Sequence, residues 1–213
     1  CGSGKKYKQC CLLTAGQPAS PASAAMDLAN ALQRASEHYQ AGQLREADAV
    51  CQQILQLSPN HPDALHMQGM IAYQIGMLDV AAILLGSVTE IAPNFADGHN
   101  NLGVVLMAQG ALDEAIARYR QAIALQPNHA NAHYNLGNAL KEQGRMDEAI
   151  ASYRKALRLD SNLVEVHYNL GDALRGREDL DEAAASYRRS IELKPDYADA
   201  YNNLGNVLKS QDK

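Results

Sequence analysis

The chain has 213 residues, a formal net charge of −5, four cysteines and a single phenylalanine. No apolar run approaches the length of a membrane span and no secretory hydrophobic segment is present, so a membrane protein is not expected. The acidic balance argues against a nucleic-acid partner. Three cysteines lie within the first eleven residues, which rules out a disulfide framework through the body and points to a reducing, cytoplasmic compartment.

The sequence opens on Cys1 and closes on Lys213 inside a repeat, and it reads as a piece of a longer protein. Residues 1–11, CGSGKKYKQCC, resemble the SEC-C motif, whose pattern is Cys-x-Cys, eight residues, then Cys followed by His or Cys. The resemblance implies a zinc-binding module with Cys1, Cys10 and Cys11 as the second, third and fourth ligands; the first would precede Cys1. Gly2 and Gly4 suit the tight backbone around a tetrahedral thiolate site. The plain alternative is a basic tail carrying Lys5, Lys6 and Lys8. A phosphate loop is rejected, because the spaced second glycine and the Ser/Thr after lysine are missing. Residues 12–27, rich in Ala, Pro and Ser, read as a flexible linker.

From residue 28 the chain repeats every 34 residues: 28–61, 62–95, 96–129, 130–163, 164–197, and a half repeat 198–213. A fixed period of this size marks a repeat architecture. In the block from Ala130, Ala132, Leu136, Ala139 and Leu140 form one run of helical spacing. Ala149, Ile150, Tyr153, Ala156 and Leu157 form a second. Gly144 provides the turn between them. Asp147 and Glu148 open the second helix, where the dipole favours acids. Neither helix can hide its apolar face alone, and stacking the pairs buries one continuous core. Numbering places within each block, Gly103, Gly137, Gly171 and Gly205 recur at place eight. Ala47, Ala81, Ala115, Ala149 and Ala183 recur at place twenty. A mid-helix glycine costs roughly 1 kcal/mol against alanine, so its recurrence predicts close helix approach.

Repeat one is the most divergent and suits an N-terminal cap. Its Cys51, at the place of a tyrosine, reads as a buried structural cysteine, because no basic neighbour lowers its pKa. Repeat two contains IAYQIGMLDVAAILLG, which is either deeply buried or an exposed patch. In the half repeat, Leu204 and Leu208 lack a covering helix, which predicts fraying or self-association there.

Leu102, Gly103, Ala115, Tyr119, Ala122 and Pro127 occupy places seven, eight, twenty, twenty-four, twenty-seven and thirty-two. This pattern resembles the tetratricopeptide repeat. The resemblance implies an all-α, right-handed superhelical solenoid of antiparallel helix pairs. Ser161 departs from the closing proline, Ser190 from the small apolar residue and Glu178 from the turn glycine. Each is expected to shift a turn locally.

No HExxH, nucleotide-binding glycine fingerprint or G-x-S-x-G is present, and this chain is not expected to be an enzyme. The acid pairs Asp113-Glu114, Asp147-Glu148 and Asp181-Glu182 read as solvated helix starts. His99, His133 and His167 share place four. Equivalent residues of stacked pairs sit about 10 Å apart, too far for shared zinc ligands at about 2 Å each, so these are packing histidines. Asn101, Asn135, Asn169 and Asn203 share place six. Stacking would align them into an amide ladder able to grip an extended peptide backbone. Recent duplication, or an amide bonding a neighbouring helix, also accounts for their recurrence. Asn138, Asp172 and Asn206, at place nine, share that face. Asp63, Asp97, Asn131, Glu165 and Asp199, at place two, form an acidic rail that favours basic or hydroxyl-bearing ligands, or simply complements helix dipoles. Places two, five and six carry no Lys or Arg, so a carboxylate clamp of the chaperone-binding kind is rejected.

The asparagines and the AHYNLGNALKEQGRMDEAIASYRKAL style of repeat are similar to the repeat arm of O-linked N-acetylglucosamine transferases, including the SPINDLY-type group. That similarity implies a concave asparagine face holding a substrate polypeptide, with a separate domain binding the UDP-sugar. The expected function is a polypeptide-binding scaffold, the recognition arm of such a glycosyltransferase. The alternatives are a stand-alone adaptor, and a chaperone or translocation accessory docked through its zinc motif.

Overall fold

The computed structural model describes residues 21–211. Among them are eleven helices and no strand: α1 (Pro21–Gln40), α2 (Leu44–Leu57), α3 (Pro62–Gln74), α4 (Leu78–Ile91), α5 (Ala96–Ala108), α6 (Leu112–Leu125), α7 (Ala130–Glu142), α8 (Met146–Leu159), α9 (Val164–Gly176), α10 (Leu180–Leu193) and α11 (Ala198–Gln211). The described residues fall into two compact units that divide between Met67 and Gln68.

In the first unit α1 packs on α2. The linker expected over 12–27 does not extend that far, because α1 already begins at Pro21. Alanine-rich sequence from that point favours helix, and proline suits a first helical position, where its missing N–H costs nothing. Ala35, Ala47, Cys51 and Ile54 are buried. Burial, reinforced by Asp48, pushes the Cys51 thiol up to about 11, so the thiol stays protonated at neutral pH.

In the second unit repeats three to five each contribute a first helix starting at place one and a second starting at place seventeen. The packing reason for the recurrent glycine is direct. A Cβ on Gly103, Gly137 or Gly171 would lie 2.6, 2.5 or 2.7 Å from the ring of Tyr119, Tyr153 or Tyr187. These three tyrosines are fully buried, as are the place-twenty alanines Ala115, Ala149 and Ala183. Small residue against large ring is how two helix backbones approach closely while the core stays filled.

The departures from the repeat pattern shift less than expected. Glu178 takes φ 67°, the same left-handed turn as Gly76, Gly110 and Gly144. Its backbone N–H donates to Arg175 O at 3.0 Å, as that of Gly144 donates to Lys141 O at 2.9 Å. The turn keeps its shape and the non-glycine residue bears the strain. At Ser161, helix α8 still stops at Leu159, because the Asp160 carboxylate accepts from Asn162 N–H at 2.9 Å and closes an Asx turn where proline would have done so.

Repeat two resolves as both alternatives. Ala81, Leu85 and Val88 are fully buried, while Ile75, Met77, Val80 and Ile83 are exposed. At the other end α11 is helical to Gln211, with Tyr201 and Leu208 exposed and open space beside Gly205.

Candidate functional site

Places two, five, six and nine fall three or four residues apart and so form one stripe along each first helix. Successive first helices meet along this stripe. Asn169 Nδ2 donates to Tyr134 Oη at 3.0 Å and to Asn138 Oδ1 at 3.3 Å. One repeat on, Asn203 Nδ2 donates to Tyr168 Oη at 3.0 Å and to Asp172 Oδ1 at 3.1 Å. The buried tyrosines join in: Tyr153 Oη donates to Asn138 Oδ1 at 2.8 Å, and Tyr187 Oη to Asp172 Oδ1 at 2.7 Å. Asn138 and Asp172 therefore each hold the core tyrosine of their own repeat and the asparagine of the next. In repeat three, where asparagine stands in place of tyrosine, Asn135 Nδ2 donates to Asn100 Oδ1, and Asn100 Nδ2 to Asn101 Oδ1, both at 3.0 Å.

The amide orientations follow from their partners. Asp172 can only accept, so Asn203 turns its nitrogen inward. Lys141 Nζ, 3.3 Å from Asn169 Oδ1, can only donate, so Asn169 turns its oxygen the other way. This corrects the simple ladder in one respect. Both amide hydrogens of Asn169 and Asn203 are already bonded to the neighbouring first helix. The Oδ1 atoms of Asn135 and Asn203 have no hydrogen-bond partner among the described residues. At Asn203 the stripe presents a locked acceptor, and at Asn169 both ends of the amide are engaged, so the row is not one of amides free to donate and accept.

Asn206 lies on the same stripe and is exposed. The acidic rail is exposed at Asp63, Asp97, Glu165 and Asp199. Asp97 accepts from His129 Nε2 at 3.0 Å, while His129 Nδ1 caps α7 by accepting from Ala132 N–H. Basic residues stand at place twelve, outside the places searched from sequence. Two of them are engaged: Lys141 on Asn169, and Arg175 beside Asp172 at 3.8 Å.

The place-four histidines pack as expected. Nε2 of His99, His133 and His167 lies 2.9, 3.1 and 3.0 Å from the carbonyl oxygens of Pro93, Pro127 and Ser161. A carbonyl only accepts, so Nε2 carries the proton. Burial holds the His133 and His167 pKa values below the usual 6.5, against the opposing carbonyl bonds.

The acid pairs are exposed but not merely solvated. Gln109, Gln143 and Gln211 each donate through Nε2 to the place-eighteen aspartate of the preceding repeat: Asp79 at 2.8 Å, Asp113 at 2.6 Å and Asp181 at 2.6 Å. Arg177 pairs with Asp147 in the same way. Glu148 is paired by Arg120 and Arg145, and Glu182 by Arg154. Among the described residues no cluster of His, Cys, Asp or Glu could hold a metal ion. Cys1, Cys10 and Cys11, the expected zinc ligands, lie outside the described residues.

Stacked antiparallel helix pairs joined repeat to repeat through their first helices define an α-solenoid built for interaction. Residues 105–144, 137–176 and 171–212 match a family model described as TPR repeat, and residues 32–97 match one described as Tetratricopeptide repeat. The chain belongs to the tetratricopeptide repeat family, whose members are protein-interaction scaffolds.

Among solved structures, the fold resembles PilF from Pseudomonas aeruginosa, with TM-score 0.79 and 20% identity over 87% of this chain and 86% of that one. TTC0263, a thermophilic TPR protein from Thermus thermophilus, has TM-score 0.68 and 24% identity over 85% and 98%. YrrB, described as a TPR protein with an unusual peptide-binding site, has TM-score 0.65 and 21% identity over 81% and 89%. No curated protein matches the sequence.

Proposed function

We propose that the first-helix stripe of repeats three to six binds an extended segment of another polypeptide, and that the chain acts as an adaptor. The observation that carries this is the row of amides at place six, in which the nitrogens of Asn135, Asn169 and Asn203 are bonded to the preceding first helix and the oxygens of Asn135 and Asn203 are left to accept. An extended peptide presents N–H groups that such acceptors can bond with little demand on side chains, and acceptors locked before binding lose little entropy when it occurs. Asn101, Asn135, Asn169 and Asn203 form the row. Asn138, Asp172 and Asn206 flank it.

The peptide-binding site in the description of YrrB supports a peptide ligand. PilF, TTC0263 and YrrB are matched over nearly their whole length, which supports an adaptor built of the repeats. None of the three is a glycosyltransferase by its description, so the glycosyltransferase arm is left without a supporting comparison.

The test replaces Asn135, Asn169 and Asn203 with alanine and measures peptide binding by fluorescence anisotropy beside circular dichroism. Affinity should fall by about tenfold or more, the equivalent of one or two neutral hydrogen bonds, with helical content retained. Unchanged affinity in the folded variant would remove the stripe as the binding surface.

A further inference from the structure

Repeat two departs from its neighbours on the outer face of α4. Ala81, Leu85 and Val88 line the core side and are fully buried. Ile83, two residues from Ala81 and Leu85, points the other way and is 69% exposed, beside Ile75 at 55%, Met77 at 50% and Val80 at 39%. Val80 stands where repeats three to five hold Glu114, Glu148 and Glu182, and Gly86 where they hold Arg120, Arg154 and Arg188. In those repeats the two places pair across the boundary, Arg120 with Glu148 and Arg154 with Glu182. Repeat two has neither member of the pair, so its outer surface is apolar where the others are charged.

The four exposed side chains present on the order of 400 Å² of apolar surface, the size that marks an interaction site. Their order along the helix identifies the occupant. Large residues, from Ile75 to Ile83, fill the N-terminal half of the face. The C-terminal half is small: Gly86, with nothing within 4 Å of an added Cβ, and Ser87. A second copy of the same helix, running antiparallel, lays its large half on this small half and receives the same in return. That is the self-complementarity an isologous contact requires. No like charges are opposed in this arrangement, because Asp79 meets the small half and Glu90 meets the turn at Gly76.

We propose that α4 joins two copies of this chain, packed antiparallel about a two-fold axis at Ile83. The pair buries on the order of 800 Å² from these side chains alone, about half of a standard interface, which sets its strength in the micromolar range. The contact lies on a second helix, so both first-helix stripes stay open and the dimer carries two of them. Two linked stripes hold a partner with two segments far more tightly than one. That consequence rests on the stripe being the binding surface; the dimer does not.

The test is sedimentation velocity of the full chain under reducing conditions, at concentrations from about 1 to about 200 µM, with circular dichroism of every variant. The unaltered chain should pass from monomer to dimer across that range. Ile83→Glu sets two carboxylates against each other on the axis and should weaken the dimer at least about tenfold. Helical content should be kept, because Ile83 is exposed. Gly86→Leu adds apolar surface but fills the half that the second copy's large residues cover, so it should weaken the dimer as well. Leu208→Glu, on α11, should leave the dimer unchanged. A chain that stays monomeric throughout overturns the proposal, and so does a dimer that survives Ile83→Glu or is lost with Leu208→Glu. A dimer unchanged or strengthened by Gly86→Leu overturns it too, because the association is then apolar adhesion without the antiparallel fit.

Discussion

A Cβ at Gly137 would come within 2.5 Å of the Tyr153 ring, and that ring is fully buried with its hydroxyl bonded to Asn138, so it has nowhere to move. Alanine there gains about 1 kcal/mol of helix propensity and loses about 1–3 kcal/mol to overpacking. Gly137→Ala should therefore destabilise, by up to about 2 kcal/mol. Gly205 occupies the same place with nothing within 4 Å, so Gly205→Ala should stabilise, by up to about 1 kcal/mol. Chemical denaturation of the two variants decides it, and shifts of the same sign would contradict the packing account. Glu178 is the converse case, a non-glycine residue at φ 67°. Left-handed backbone costs an L-residue about 1–2 kcal/mol, so Glu178→Gly should raise stability by about 0.5–1 kcal/mol once the freer unfolded chain is counted. A lower denaturation midpoint would show that the Glu178 side chain contributes more than the strain costs.

Each first helix of repeats three to five enters through a histidine bonded to the carbonyl that closes the preceding loop. Burial depresses the pKa of His133 and His167 below 6.5. The unfolded chain therefore binds protons that the folded chain resists. The contribution of these two junctions is complete above about 6.5 and is lost as pH falls through the depressed folded values. Melting temperature should decline on acidification from neutrality before the carboxylates titrate, and the decline should be shallower in His133→Gln/His167→Gln. An equal slope in that variant would place the acid sensitivity elsewhere. At this scale the helices themselves were legible in the sequence, because the 34-residue period, the place-eight glycine and the place-twenty alanine are each dictated by one local contact. The start of α1 was not: Pro and Ser in residues 12–27 read as linker, while the alanines from Pro21 onward carry the helix.

Across the molecule, the stripe was legible as a set of residues but not as a bonding pattern. Recurring asparagines showed which face is special. Which of their atoms stay available depends on Tyr134, Tyr168, Asn138 and Asp172, contributed by the neighbouring repeat, and no spacing within one repeat reveals that. A signal was present: tyrosine at place five precedes the two asparagines whose nitrogens it accepts, and asparagine takes its place in repeat three. The place-fourteen bridges were missed for the same reason, since Gln143 and Asp113 meet only across a repeat boundary. The central claim is that a peptide lies along the first-helix stripe. It is tested most directly by cross-linking a peptide that carries a photoreactive residue to the full chain and locating the adducts by mass spectrometry. Adducts should fall on α7, α9 and α11, at residues such as Asn135, Tyr168 and Asn203. Adducts concentrated on the outer second helices, at residues such as Arg120, Glu148 and Arg154, would contradict it.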